Sequence, residues 1–168
     1  DNRLTAVTIQ GGNSAEFAYD ATGRRVRKTV NGADVTRYPF AGYEIAPAGT
    51  ITKFIGGAAK KGTTKLFYHT DHLGGTHVIT DLTGLRVQLV EYDPWGKVVV
   101  NEGTADLTRR FTGQFLDPET GLMYYGGRYY DPVLGRFISP DPFVQAPSNP
   151  QSLNRYSYVL NNPVNLID

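Results

Sequence analysis

The chain alternates apolar and polar residues over short stretches, and turn-forming residues separate these stretches. Residues 85–92 show the alternation without a break, and residues 24–30 place Val26 and Val30 on the opposite side from Arg25. An alternation with a period of two predicts half-buried strands, and closely spaced turns predict antiparallel hairpins. Further strands are predicted at residues 4–9, 15–19, 35–40, 43–45, 50–55, 65–69, 77–80, 97–100, 122–125 and 127–130. The predicted fold class is therefore all-β, a curved antiparallel strip of β-hairpins.

Three segments depart from the strand pattern. Residues 56–62 contain two lysines and three glycines and are predicted to form a mobile loop, and the polar residues 101–107 are predicted to form another loop. Near the C-terminus, Asn149 can cap a helix and the following proline is tolerated at the first helical position. Leu153 and Leu160 then share one helical face with Tyr156, which predicts one short C-terminal helix.

Composition narrows the classes of function. The chain has 168 residues with a net charge of +1, so its total charge gives no reason to expect a nucleic acid partner. It contains no cysteine, which excludes disulfides and thiolate metal sites. No apolar run approaches the roughly 20 residues of a membrane span. The first residue is not Met and the last is Asp168, inside a motif, so we expect a piece of a longer protein.

An aspartate followed three residues later by a glycine recurs at strand ends. Aspartate can accept hydrogen bonds from backbone N–H groups ahead of it, and glycine takes the positive φ that a type I turn with a G1 bulge requires. The pattern therefore predicts hairpin corners, and neighbouring hairpins must pack on each other because each alone buries too little surface. The corners begin at Asp20, Asp71, Asp81 and Asp93, with versions one residue longer at Asp117 and Asp131.

The stretch of residues 117–141 packs two aromatic strands between three Asp-Pro dipeptides. Each Asp-Pro dipeptide predicts the end of a strand, because proline presets a turn and aspartate bonds to the backbone ahead. Arg128 stands out inside the second aromatic strand. A guanidinium at such a position requires a carboxylate partner or must face water, so we expect Arg128 to be paired or exposed.

These corners are similar to a known repeat. Tyr19-Asp20 with Gly23-Arg24 resembles the tyrosine–aspartate (YD) repeat. The stretch from residue 65 to residue 168 resembles the Rhs repeat-associated core domain, and residues 1–64 resemble looser YD-repeat hairpins. The core resemblance rests on Tyr68-His69-Thr70-Asp71-His72-Leu73-Gly74, Tyr92-Asp93-Pro94-Trp95-Gly96, Phe111-Thr112-Gly113-Gln114, Arg128-Tyr129-Tyr130-Asp131-Pro132, Gly135-Arg136-Phe137-Ile138-Ser139-Pro140-Asp141-Pro142 and Asn161-Asn162-Pro163.

The resemblance implies a segment of a β-shell that encloses a C-terminal toxin. It implies no cofactor and no nucleic acid or membrane-spanning segment. The partners it implies are neighbouring YD repeats, a toxin cargo from the same parent protein and a secretion apparatus or adaptor, in a secreted or surface-delivered bacterial protein. Open strand edges predict that the isolated chain self-associates. The alternative function is a surface or glycan-binding module without catalysis.

The resemblance also implies three residues of an aspartyl self-cleavage site, namely Arg128, Asp141 and Asp168. Two close carboxylates can divide the roles of acid and base on water, and an arginine can orient them. We expect the rest of the final Asp-Pro-x-Gly-Leu motif, and the bond that is cut, beyond Asp168. In the simpler alternative, Asp141 only turns the chain and Arg128 forms a structural ion pair.

Three further groups of residues admit a functional or a structural interpretation. His69, Asp71, His72 and His77 could ligate zinc, but their loose spacing favours a turn with packed histidines. Three lysines at positions 60, 61 and 65 could bind phosphate, but the nearly neutral total charge strongly favours a solvated loop. The tyrosine stripes could stack on sugars or bases, but such stripes more often form the core of a sheet.

Overall fold

The structure is a computed structural model that describes residues 3–105, 107–144 and 146–168. It confirms the predicted all-β strip, because strands β1 to β11 form one antiparallel sheet in sequential order and β12 to β15 form a second sheet of four strands. The strands are β1 Ala6–Thr8, β2 Ser14–Tyr19, β3 Arg25–Val30, β4 Asp34–Arg37, β5 Tyr43–Ile45, β6 Ile51–Ile55, β7 Ala58–Lys61, β8 Thr64–Thr70, β9 Thr76–Thr80, β10 Arg86–Tyr92, β11 Val98–Gly103, β12 Phe115–Asp117, β13 Leu122–Tyr124, β14 Tyr129–Asp131 and β15 Arg136–Phe137. No helix in the described part of the chain is long and apolar enough to span a bilayer.

The aspartate corners turn the strip as predicted. At the first corner, Asp20 Oδ1 accepts hydrogen bonds from the backbone N–H groups of Thr22 at 2.9 Å and Arg24 at 3.0 Å. Gly23 follows with a φ of +83°, which suits a residue without a Cβ. The strand pairing shifts by one residue between Ala18 and Tyr19, as a bulge beside the corner requires. The corners that begin at Asp71, Asp81 and Asp93 repeat the pair of side-chain bonds and the left-handed glycine.

The two longer corners differ from each other. Asp131 Oδ1 accepts bonds from the N–H groups of Val133 and Leu134 at 2.8 and 3.1 Å, so this side chain caps its turn. The prediction that Asp117 does the same is wrong. Its side chain is buried and its two oxygens contact Arg25 and Lys28 of the large sheet. The turn is closed instead by backbone bonds from the Thr120 and Gly121 N–H groups to the Asp117 carbonyl.

Both predicted loops contain strand. Residues 58–61 form β7, whose register places Lys53 opposite Lys60 and then Lys60 opposite Lys65 on the next strand. This pairing with two long neighbours corrects the prediction of a mobile loop. The predicted loop at residues 101–107 begins as β11, which runs to Gly103 along β10.

The C-terminal helix begins where predicted but does not continue. Asn149 accepts a hydrogen bond from the Gln151 N–H at 3.1 Å, and a single 3₁₀ turn spans Pro150–Leu153. The helical face predicted through Leu160 is wrong, since Leu153, Tyr156 and Leu160 are exposed, whereas Tyr158 and Val159 are buried. Residues 159–161 all have positive φ and form a left-handed turn, so a right-handed helix cannot continue through them.

The small sheet packs against the inner face of the large one. Phe17 of β2 and Tyr129 of β14 lie in one apolar cluster with their ring centroids 4.9 Å apart. Farther along the strip, Leu66 and Ile79 pack on Leu107, which belongs to the segment between the sheets. The inner face of the strip is therefore covered by the chain that follows it, and its outer face is left to solvent.

Candidate functional site

Arg128 lies in the connection between β13 and β14, where it contacts both candidate carboxylates. Its Nη2 atom is 3.3 Å from Asp141 Oδ2, 3.1 Å from Asp168 Oδ2 and 3.4 Å from Asp168 Oδ1. Because the same nitrogen atom contacts both carboxylates, the side chains of Asp141 and Asp168 lie close to each other. The structure therefore brings together the three residues that the sequence resemblance implied.

The guanidinium of Arg128 is fixed on two sides. Its Cζ atom lies 3.6 Å from the centroid of the Phe137 ring, a close cation–π contact, and its Nη1 atom donates to the Arg155 carbonyl at 3.4 Å. Only 13% of the Arg128 side chain is exposed, so its charge acts in a partly desolvated setting where the attraction to carboxylates is strengthened.

Asp141 is held by reciprocal contacts with Arg155. The Asp141 N–H donates to the Arg155 carbonyl at 2.8 Å, and Arg155 Nη1 donates to the Asp141 carbonyl at 3.2 Å. Asp141 Oδ1 also accepts a bond from the Phe143 N–H at 2.9 Å, which leaves Oδ2 to face Arg128. Asp141 thus turns the chain, as in the simpler alternative, and also presents one oxygen to the arginine.

Asp168 reaches Arg128 along an unusual path. Tyr158 is fully buried, and the next three residues, Val159, Leu160 and Asn161, have φ values of +42°, +52° and +62°. Such conformations are strained for residues with side chains, especially a β-branched one, and persist only where the surroundings impose them. The left-handed turn sends the C-terminal segment back towards the small sheet.

His72 holds this C-terminal segment from outside. Its Nε2 atom donates to the Val164 carbonyl at 2.8 Å, across 92 residues of sequence. His72 sits in the corner that Asp71 caps, so a rigid turn of the large strip contacts the segment that carries Asp168. Sequence reasoning missed this role, because nothing in the local pattern pairs these two positions.

A small pocket of about 60 Å³ opens between these groups. It is mainly polar, since Arg128 and Arg155 line it together with the two aspartates, and Phe143 adds an exposed ring. A space of this size and polarity admits a water molecule. Its lining residues are Arg128, Asp141, Phe143, Ser152, Asn154, Arg155, Ser157, Val159, Leu160 and Asp168.

Aromatic side chains, including Tyr125, Phe137 and Tyr158, pack beneath the site. The Tyr125 hydroxyl lies 3.2 Å from the Tyr158 hydroxyl and 2.7 Å from the Thr112 hydroxyl. Burial raises the pKa of both Tyr125 and Tyr158, so these phenols stay neutral. Tyr158 also packs on Phe137, the ring that carries Arg128, at 5.9 Å between centroids. These aromatic side chains therefore connect the left-handed turn, which follows Tyr158, to Arg128, which packs on Phe137.

The other candidates resolve as structural contacts. His77 contacts Asp71 at 3.2 Å, and His69 contacts Thr80 at 3.0 Å on a separate face. Among the residues that the structure describes, no three side chains of metal-ligating type converge. Tyr129 and Tyr130 are 2% and 0% exposed, so these stripes belong to the core.

A strip of hairpins turned at Tyr-Asp corners, with a second, four-stranded sheet folded against it, defines a segment of a YD-repeat shell. The chain belongs to the Teneurin YD-shell family, whose profile matches residues 54–164. It is 36% identical over 186 residues to the tRNA nuclease WapA of Bacillus subtilis (strain 168), with 100% of this chain and 8% of WapA covered.

Two further similarities agree with this assignment. The chain is 41% identical over 99 residues to the toxin protein Tse5 of Pseudomonas aeruginosa, covering 58% of this chain and 7% of Tse5. The crystal structure of TcdB2–TccC3–TEV superposes with a TM-score of 0.81 at 23% identity, over 98% of this chain and 9% of that one, and shows the same fold. The chain thus spans less than a tenth of the length of these relatives.

Proposed function

We propose that this chain is the terminal core segment of a YD-repeat shell that encapsulates a C-terminal toxin, and that Arg128, Asp141 and Asp168 form a self-cleavage site that releases it. The observation that carries the cleavage proposal is the contact of both carboxylates with a single guanidinium nitrogen. Residues 27 positions apart in sequence meet there only because the left-handed turn redirects the C-terminal segment.

The shell role is supported by the continuous strip and by relatives that are toxins. Each of its eleven strands pairs only with its neighbours in sequence, so the strip can be extended by further hairpins at β1. The free edge of β1 is where preceding YD repeats of the same parent protein would join. The cargo follows the core, and the parent protein is delivered outside the cell by a secretion apparatus or adaptor.

In the cleavage step, one carboxylate accepts a proton from water as the water oxygen attacks the scissile carbonyl carbon beyond Asp168. The other carboxyl group donates a proton to the departing amide nitrogen as the C–N bond breaks, giving a new carboxyl terminus and a new amine. Three hydrogen bonds fix the position of Asp141, so its carboxylate stays in place during the reaction. Asp168 lies on the segment that leads to the scissile bond. Arg128 contacts both carboxylates and holds them next to each other.

The test is self-processing of a parent chain that continues past Asp168 into the following domain. Asp141→Asn is expected to abolish processing, and Arg128→Lys is expected to slow it because lysine cannot hold both carboxylates with one planar group. Asp131→Asn is the matched control, since Asp131 also precedes a proline but only caps its own turn. Processing that persists in Asp141→Asn would remove the protease role and leave the shell role intact.

A further inference from the structure

Three lysines form a straight row across the outer face of the large sheet. Lys53 of β6 lies directly opposite Lys60 of β7, which lies directly opposite Lys65 of β8. All three are exposed, whereas the alternate positions on these strands, Thr52, Ala59 and Leu66, are 6%, 3% and 6% exposed. With adjacent strands about 4.8 Å apart, three positive charges lie within roughly 10 Å of one another.

This row is not neutralised within the described part of the chain. No carboxylate lies within ion-pair distance of Lys53, Lys60 or Lys65 there, and Lys53 instead points its ammonium at the Tyr43 ring, 5.4 Å from the centroid. Like charges placed directly opposite on neighbouring strands destabilise a sheet. An unbalanced row of this kind is typical of a surface that meets an anionic partner.

The outer face is also basic beyond the lysine row. Arg27 of β3 lies opposite Arg37 of β4, and both are exposed. Glu44, the acidic residue of β5, has its pKa raised by burial and accepts a hydrogen bond from Thr108 on the inner side. The net charge of +1 therefore does not reveal that this part of the outer face is basic.

Apolar side chains flank the lysine row on both sides. Ile55, Ala58 and Phe67 lie opposite one another in the adjacent row of the same strands, and Ile55 and Phe67 are 71% and 37% exposed. On the other side of the lysines, Ile51 pairs with Ile45 and is 37% exposed. Charged and apolar rows therefore alternate across one solvent-facing surface.

We infer that this outer face of β6–β8 docks on an anionic lipid surface. Lysine ammonium groups would contact the lipid phosphates, while Ile55 and Phe67 enter the headgroup region. A soluble linear polyanion would satisfy the lysines equally well but would leave the apolar rows in water. The combination of both kinds of row therefore favours the membrane surface as the partner.

The test is co-sedimentation of the full chain with phosphatidylcholine vesicles, with and without phosphatidylglycerol. Binding is expected only with the anionic lipid and should weaken as salt is raised. Combined substitution Lys53→Gln, Lys60→Gln and Lys65→Gln should lower binding roughly hundredfold, since each basic residue near such a surface contributes about a fivefold factor. The matched control carries Arg24→Gln, Lys97→Gln and Arg136→Gln, which remove equal charge from solvent-accessible positions away from β6–β8.

A second variant, Ile55→Ser, separates lipid from a soluble polyanion. It should weaken vesicle binding and leave binding to inorganic polyphosphate unchanged. The proposal is overturned if the two triple variants bind vesicles equally, or if Ile55→Ser has no effect on vesicle binding while polyphosphate competes for the lysine row. Unchanged melting temperatures of the variants show that the comparison is between folded chains.

Discussion

The buried carboxylate of Asp117 in the small sheet is paired with the guanidinium of Arg25 in the large sheet. Asp117 is 1% exposed and also contacts Lys28 Nζ at 2.9 Å, and Lys28 in turn contacts Glu119 at 2.7 Å. The Arg25 guanidinium lies between aromatic rings, with its Cζ 4.4 Å from the Tyr124 centroid. Desolvated ion pairs of this kind join the two sheets where the small sheet packs on the large one.

Removing the Asp117 charge is expected to destabilise the protein strongly. Asp117→Asn leaves Arg25 buried without its carboxylate, which should lower the free energy of unfolding by about 3–5 kcal/mol. Chemical denaturation measures this loss. Asp131→Asn serves as the control and should lose only about 1 kcal/mol, because Asp131 makes two exposed turn bonds. Equal losses in the two variants would show that the inter-sheet pair carries no special weight.

Two glycines at equivalent corners should respond differently to alanine. Gly84 and Gly96 have φ values of +85° and +87°, so alanine at either position is strained by about 1 kcal/mol. A Cβ at Gly84 meets open space, whereas a Cβ at Gly96 would overlap the Phe111 ring of the core. Gly96→Ala should therefore cost about 1–3 kcal/mol more than Gly84→Ala in denaturation experiments. The prediction is wrong if the two variants are equally stable.

Acid should loosen the corners in a defined pH window. Hydrogen bonds from Thr22 lower the pKa of Asp20 from 3.8 to about 2, and similar bonds lower the pKa of Asp81. A carboxylate with a depressed pKa stabilises the fold above its unfolded value, and this contribution disappears as the pH falls through the folded value. The melting temperature should thus decline between pH 3.8 and about 2.

Asp20→Asn provides the control for this pH effect. The amide oxygen keeps the turn bonds but does not titrate, so the variant should show a shallower decline of melting temperature over the same window. Identical acid profiles for the variant and the wild type would assign the loss to other carboxylates.

His72 should restrain the C-terminal segment that carries Asp168. Removing its hydrogen bond to Val164 by His72→Ala should free this segment by about 1 kcal/mol, which corresponds to roughly fivefold faster amide exchange. The Leu166 amide, which donates to the Asn162 carbonyl at 3.2 Å, reports the change. His69→Ala is the control, since His69 contacts Thr80 on another face. Exchange at Leu166 that is unchanged in His72→Ala would place the restraint elsewhere.

The local pattern of residues was sufficient to predict the strip and its corners. Asp20 and Gly23 act within five residues of chain, through side-chain bonds to the neighbouring backbone and a φ that glycine accepts. The local sequence is therefore enough to determine the structure of the corner. The meeting of Arg128, Asp141 and Asp168 was implied by family resemblance and not by any local rule, and its catalytic role stays a proposal.

The tertiary structure alone decided the features that depend on distant contacts. Asp117 has the sequence of a capping corner, yet its carboxylate turns inward because Arg25 and Lys28 of the other sheet lie there. Residues 58–61 look like a loop and become a strand because two neighbouring strands pair with them. The left-handed turn after Tyr158 is unfavourable locally and exists because burial of that ring in the aromatic core outweighs the strain.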